Sequence, residues 1–351
     1  MSFSWRLILV LVSGVGLAVV SGPARTTLAA EDQPAKTAAT PPEAEVAAAP
    51  EPTATAKYKL AFKFIPNQVV RYEVAQETEI TTCINGDTEM ARNSSKAKRH
   101  FTVIAADDVA GTADLELSID WVRMVASFEN PDRNDSEPVE FQSDDPKKRP
   151  KQFRDILDRV GKPQATIRFN AAGKIVEVLK GMLPPPPAAA NQLSKGRPGS
   201  PLAMDGSPES YLLPLPDEPV AIGESWKERF DTLTRDSSKN PVKITIQRSY
   251  KLMDVKDGRA VIEFRTAVLT PITDPTIGAQ LIQREILGKV VFDIERGLIE
   301  SRDSGVDNTV INPFGTKGSM RAKSQYSERM LEDPAAPKTT ASTSTNETSQ
   351  Q

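Results

Sequence analysis

Apolar and polar residues alternate through most of residues 58–332. Leu60, Phe62 and Phe64 are interleaved with Ala61 and Lys63. Val70, Tyr72 and Val74 share one side, while Arg71, Glu73, Glu77 and Glu79 share the other. Ala113, Leu115, Leu117, Ile119 and Trp121 alternate with Asp114, Glu116, Ser118 and Asp120. Ala260, Ile262, Phe264, Thr266 and Val268 repeat the pattern. A period of two predicts antiparallel strands with one buried and one wet face. In "SMRAKSQYSERML" the inward set, Met320, Ala322, Ser324 and Tyr326, is only weakly apolar. That strand is expected at a sheet edge or against a wetter interior.

Turn chemistry falls between these runs, in "INGD" (84–87), "DDVAG" (107–111), "NAAG" (170–173), "KDG" (256–258) and "ERG" (295–297). Gly after Asn or Asp supplies the positive φ of a tight reversal. One stretch has a helical period instead: Phe153, Ile156, Leu157 and Val160 are spaced by three and four before Gly161. It predicts a short helix near 150–160.

Three segments of the first half are echoed, in order, in the second. "NQVVRYEV" (67–74) resembles "GESWKERF" (223–230), and "AADDVAGTADLEL" (105–117) resembles "LMDVKDGRAVIEF" (252–264). The hairpin "ATIRFNAAGKIVEVLKG" (165–181) resembles "VVFDIERGLIESRDSG" (290–305). The expected fold is therefore mainly β: two antiparallel, curved, half-barrel-like sheet units, an internal duplication, with one short helix in the first. A single curved sheet has one apolar face, and a second such face can cover it.

Composition sets the boundaries. Residues 1–30 carry Arg6, an apolar stretch at 7–20 and small residues near Ala30, the marks of a secretory signal. The stretch is shorter than the ~20 apolar residues of a spanning helix, although an uncleaved anchor is the alternative. Residues 31–57, rich in Ala, Pro, Thr and Glu, and 333–351, rich in Thr, Ser and Ala, are poor in large apolar side chains, which predicts a disordered spacer and tail. Between them lie a first β-rich unit (58–183), a Pro/Gly-rich exposed connection (184–213) and a second β-rich unit (214–332). The chain is thus expected to be exported, to the periplasm, cell envelope or exterior, with no spanning helix once the signal is cleaved.

"LPLPDEPVAIGESWKERF" (213–230), "FRDILDRVGKPQATIRFNAAGKIVEV" (153–178), "GKVVFDIERGLIESRDSG" and "SQYSERML" together resemble uncharacterised secreted β-rich proteins of planctomycete-type bacteria. No catalytic residues are assigned in that group, so the resemblance implies none here. More distantly, the helix-then-hairpin pattern is similar to the half-barrel of periplasmic lipoprotein carriers, a fold-level analogy only.

The chemistry-bearing residues are sparse. His100 is the only histidine and Cys83 the only cysteine, so no disulfide forms within the chain and no His/Cys zinc site can be filled. Basic neighbours of His100 (Lys96, Lys98, Arg99) disfavour the imidazolium that a triad base must form. Acidic neighbours of Cys83 disfavour its thiolate. No GxSxG, Walker or dinucleotide pattern occurs, and the DxDxDG calcium spacing is missing. With 44 basic and 47 acidic residues, the net charge of −3 offers no footprint for nucleic acid. Expected are no catalytic residues, no metal and no cofactor.

The leading expectation is a non-catalytic exported protein binding a lipid, another hydrophobic ligand or a partner's segment. Phe62, Phe64, Tyr72, Trp121, Trp226, Phe264 and Phe292 are the candidate lining, with plain core as the competing role of each. A structural cell-envelope scaffold is the alternative, and a carboxylate-dependent hydrolase a distant one.

Overall fold

The computed structural model describes residues 56–129, 137–148, 150, 154–181, 212–314 and 317–332. The expected signal, almost all of the spacer, the tail and positions 184–211 of the connection lie outside the described residues. So does Phe153 of the expected helix.

The first half contains β1 (Lys57–Tyr58), β2 (Val69–Ile84), β3 (Asp87–Asp107), β4 (Thr112–Glu129), β5 (Val139–Gln142), helix α1 (Arg154–Leu157), β6 (Pro163–Asn170) and β7 (Ile175–Gly181). The second contains β8 (Val220–Ala221), β9 (Ser225–Arg235), β10 (Pro241–Lys256), β11 (Arg259–Val268), helix α2 (Pro275–Leu281), β12 (Leu287–Asp293), β13 (Leu298–Ile311) and β14 (Gly318–Leu331). The class is the expected one, mainly β and antiparallel. The turns are where Asn-Gly and Asp-Gly place them. Asn85 and Gly86 both have positive φ between β2 and β3, as do Asp257 and Gly258 between β10 and β11.

All the long strands belong to one sheet, in the order β7-β6-β4-β3-β2-β14-β13-β12-β11-β10-β9, with β5 on β4; β1 and β8 pair separately. The first half runs through β2-β3-β4-β6-β7 and the second through β9-β10-β11-β12-β13, so both pass through the same succession of neighbours. β14 joins them, pairing with β13 on one side and β2 on the other. The strand with the least apolar inner face is therefore central, not at an edge.

The sheet curls so that inner faces from both halves meet in one hydrophobic cluster. Val70, Tyr72, Phe101, Leu115, Ile167 and Phe169 come from the first half, and Tyr250, Leu252, Ile262, Val290 and Phe292 from the second. Two segments of the chain fill this end. Leu60 and Phe62 enter from the stretch between β1 and β2, and Leu212, Leu213 and Leu215 from the stretch before β8, all buried.

These segments show what the echoed hairpins do. Phe62 N–H donates to the Ala171 carbonyl (2.8 Å) in the β6–β7 turn, and Lys63 N–H to the Gly297 carbonyl (3.2 Å) in the β12–β13 turn. Leu215 N–H also donates to the β6–β7 turn, at Ala172 O (2.8 Å). One extended segment is thus gripped by both glycine turns. Each glycine is needed twice over, for its positive φ and for space. A Cβ on Gly173 would lie 2.5 Å from Leu213 O, and one on Gly297 2.4 Å from Lys63 N.

The other end of the inner face is covered by α2, which the alternation pattern did not predict. Asp274 caps it, accepting from Thr276 N–H (2.8 Å), and Pro275 occupies the first turn, where its missing donor costs nothing. Ile277 and Leu281 pack on Ile244 and Ile246 of β10. Ala279 and Ile282, the latter just beyond α2, pack on Ile80, Met320 and Ala322 of β2 and β14.

Candidate functional site

The inner face is striped. Beside the large apolar cluster, Trp226, Tyr250, Phe264 and Gly288 stand opposite one another on β9, β10, β11 and β12. Trp226 stacks on Tyr250 with ring centroids 5.4 Å apart and planes 13° apart, and its Nε1–H donates to Pro214 O (2.9 Å). Gly288 makes room for Phe264, whose ring would lie 2.4 Å from a Cβ at that position. Phe62 meets Phe292 edge-on at 5.4 Å and lies parallel to Phe64 at 6.0 Å. Six of the seven candidate lining residues, Phe62, Phe64, Tyr72, Trp226, Phe264 and Phe292, are therefore brought together. Phe62, Tyr72 and Phe292 are buried, and the other three pack half-buried against them.

The next stripe is polar. Glu328, with its side chain 1% exposed, is ion-paired to Arg99 and to Arg302 (3.4 Å). The Arg99 guanidinium also donates to the Tyr326 hydroxyl (3.3 Å). Across the sheet, Tyr250 OH donates to Glu228 (2.6 Å), which also accepts from Arg248 (3.3 Å). Tyr72 OH donates to Ile299 O (3.0 Å). Burial pushes the Tyr72, Tyr250 and Tyr326 hydroxyls far up from the ordinary tyrosine range, so these groups act as neutral donors. Ser324, Tyr326 and Glu328 on β14 supply the centre of this stripe, which explains that strand's weakly apolar alternation.

Beyond the polar stripe lie the small apolar clusters under α2. A groove of about 200 Å³ runs along the helix, lined by Val268, Ile272, Gly278, Leu281, Ile282, Asn308 and Val310 among others. Sequence reasoning missed this place. The signal that marks it is "DPTIGAQLI" (274–282), an Asp cap and first-turn Pro before apolar residues spaced by four.

Trp121, the seventh candidate, stands elsewhere. A β-bulge intervenes, because Arg99 pairs with Ile119 but Lys98 with Trp121, leaving Asp120 as the extra residue. Burial shifts by one: Leu115 and Leu117 are inside before the bulge, Val122 and Met124 after it. Trp121 is thereby turned to the outer face, beside Lys98 and Glu73.

His100 and Cys83 take no part in the inner face. His100 Nδ1 lies 2.8 Å from the Asp120 carboxylate on the surface, and Cys83 is half-buried at the far end of β2. Among the described residues no group of three or more His, Cys, Asp and Glu side chains is placed to hold a metal ion. No helix among them is long and apolar enough to cross a membrane.

No family model matches the chain. No curated protein matches it. Among solved structures, one described as "Lipid-protein interactions in lipovitellin" is similar with a TM-score of 0.43 and 15% identity. The match covers 78% of this chain and 26% of that one.

Proposed function

We propose that this is an exported, non-catalytic protein that holds a hydrophobic ligand of acyl-chain type between α2 and the inner face of its sheet. The observation that carries the reading is the way α2 covers that face. A helix of seven residues has little stability of its own. It is kept in place by a few apolar side chains, by the Asp274 cap and by Gln280, whose amide exchanges hydrogen bonds with the Arg235 backbone (2.6 and 3.1 Å). Beneath it, Ile80, Ile244, Ile246, Met320 and Ala322 form an apolar stripe that requires a cover, and the adjoining groove is already open along one side of the helix. A flexible apolar chain entering that groove replaces helix side chains with its own methylenes, each worth ~0.8 kcal/mol on burial. The opposite end of the interior is filled by the protein's own Leu60, Phe62, Leu212 and Leu213, which favours α2 as the place of entry.

The strand order shared by the two halves supports an internal duplication as the origin of the fold. The filled end of the interior favours a second reading, a purely structural envelope protein.

Binding of cis-parinaric acid, a fluorescent fatty acid, separates the two. Gly278 faces Val310 across the groove with ordinary van der Waals room for a Cβ (3.5 Å). Gly278→Leu fills the groove without straining a helical backbone. Wild-type protein is expected to bind the probe saturably and Gly278→Leu at least about tenfold more weakly, roughly two methylenes' worth of lost contact. Equal binding by both variants, or none by wild type, overturns the reading.

A further inference from the structure

The outer face carries a second constellation, unrelated to the apolar interior. Trp121 on β4, Lys98 and Lys96 on β3, Glu73 on β2, and Asp144 just after β5 surround a cleft of about 420 Å³. That volume lies in the ~300–1,000 Å³ range of small-molecule sites.

Three features mark it as built for a ligand. The first is the bulge at Asp120. Without the extra residue, the alternation of β4 would carry Trp121 into the core; with it, a large aromatic ring stands partly exposed among charged side chains. Bulges re-aim side chains at a cost in ladder pairing, and this one gives up the burial of the chain's largest side-chain type. The second is that the ring is fixed. Trp121 Nε1–H donates to Asp144 Oδ1 (2.8 Å), which also accepts from Gln142 Nε2 (2.8 Å). The indole N–H is thus satisfied within the protein, and what Trp121 presents to the cleft is apolar ring surface.

The third is the charge pattern. Two ammonium groups and two carboxylates surround the ring, and Glu73 stands directly opposite Lys98, which stands directly opposite Trp121. A balanced set selects against a phosphate or a polycation. It offers donors from the lysines and acceptors from the carboxylates within one small space, which suits groups that both donate and accept. Hydroxyls arranged around an apolar C–H face have that property. The face stacks on the indole while the hydroxyls meet the charged rim.

We propose that the Trp121 cleft is a binding site for a neutral carbohydrate, one pyranose ring stacking on the indole with its hydroxyls bonded to Lys96, Lys98 and Glu73. Such a site on the outer face leaves the interior free for its own ligand and gives an exported protein a hold on surface glycan.

Isothermal titration of the full chain with chitotetraose, maltotetraose and sodium phosphate tests this. Saturable heat is expected from at least one oligosaccharide and none from phosphate. Trp121→Ala is expected to weaken sugar binding about tenfold or more in a chain that still unfolds cooperatively in urea. Lys98→Ala, a fully surface change, is expected to weaken it without loss of fold, and so covers the case of a Trp121→Ala chain that fails to fold. The proposal is overturned by the absence of heat with both sugars at millimolar concentration. Sugar binding unchanged in Trp121→Ala or Lys98→Ala overturns it too, as does phosphate competing with the sugar.

Discussion

Gly297 and Gly258 both have positive φ, +64° and +74°, yet replacing each with alanine should have very different consequences. At Gly258 an added Cβ meets nothing within 4 Å. The cost there is the left-handed backbone alone, ~1 kcal/mol. At Gly297 the same Cβ lies 2.4 Å from Lys63 N and 2.7 Å from Lys63 Cβ, so the turn and the segment carrying Leu60 and Phe62 must separate. To the ~1 kcal/mol of backbone strain are added the hydrogen bond from Lys63 N–H to Gly297 O, ~1 kcal/mol net, and the overpacking of a filled core, ~1–3 kcal/mol. Gly297→Ala should therefore lose about 3–5 kcal/mol, a large part of a typical domain's ~5–15 kcal/mol. Urea unfolding followed by far-UV circular dichroism measures both variants against wild type. Equal midpoints for Gly297→Ala and Gly258→Ala would refute the idea that the echoed turns grip the 60–64 segment.

Glu328→Gln leaves Arg99 and Arg302 without their shared carboxylate in a nearly dry setting, and should cost ~3–5 kcal/mol in the same assay. Arg92→Ala, which removes two ion pairs whose side chains are 39–50% exposed, should leave the urea midpoint near that of wild type. Trp226→Ala removes a stacked ring and its hydrogen bond to Pro214; because the ring is only half-buried, the loss should fall near the lower end of the ~3–5 kcal/mol seen for buried aromatics. The Asp274 carboxyl is held below its ordinary range by the backbone N–H groups of Ser237 and Thr276. A lowered folded-state pKa gives stability that is present above the ordinary aspartate range and lost as pH falls through the folded value. Amide exchange of residues 276–281 should accordingly speed up in acid beyond its intrinsic pH dependence, and Asp274→Ala should show the faster opening already at neutral pH. An α2 whose protection is unchanged by Asp274→Ala contradicts the capping role.

Much of the fold was legible because alternation and turn chemistry are local. Val70, Tyr72 and Val74 face inward as their period requires, and Asn85-Gly86 and Asp257-Gly258 reverse the chain where expected. Union of the strands into one sheet was not legible, since the β2–β14 pairing joins residues some 250 positions apart and depends on packing rather than pattern. The pattern alone places Trp121 inward because a period of two carries no memory of an inserted residue. One bulge at Asp120 reverses every later side chain of β4. Helix α2 went unseen because Ile277, Leu281 and Ile282 are too few for periodicity to stand out, although Asp274-Pro275 marked its start. The alternation places Phe62, Tyr72, Phe264 and Phe292 inward, but carries no sign that the chain's own 60–64 and 212–215 segments occupy the space they line.

The most direct test of the central claim is mass spectrometry of an organic extract from protein purified under native conditions from its own host, quantified against protein. A hydrophobic ligand held beneath α2 predicts an acyl-chain compound near one equivalent per chain, reduced in the Gly278→Leu variant purified in parallel. An extract with no apolar compound above the level of an unrelated protein purified in the same way, or one unchanged by Gly278→Leu, contradicts it.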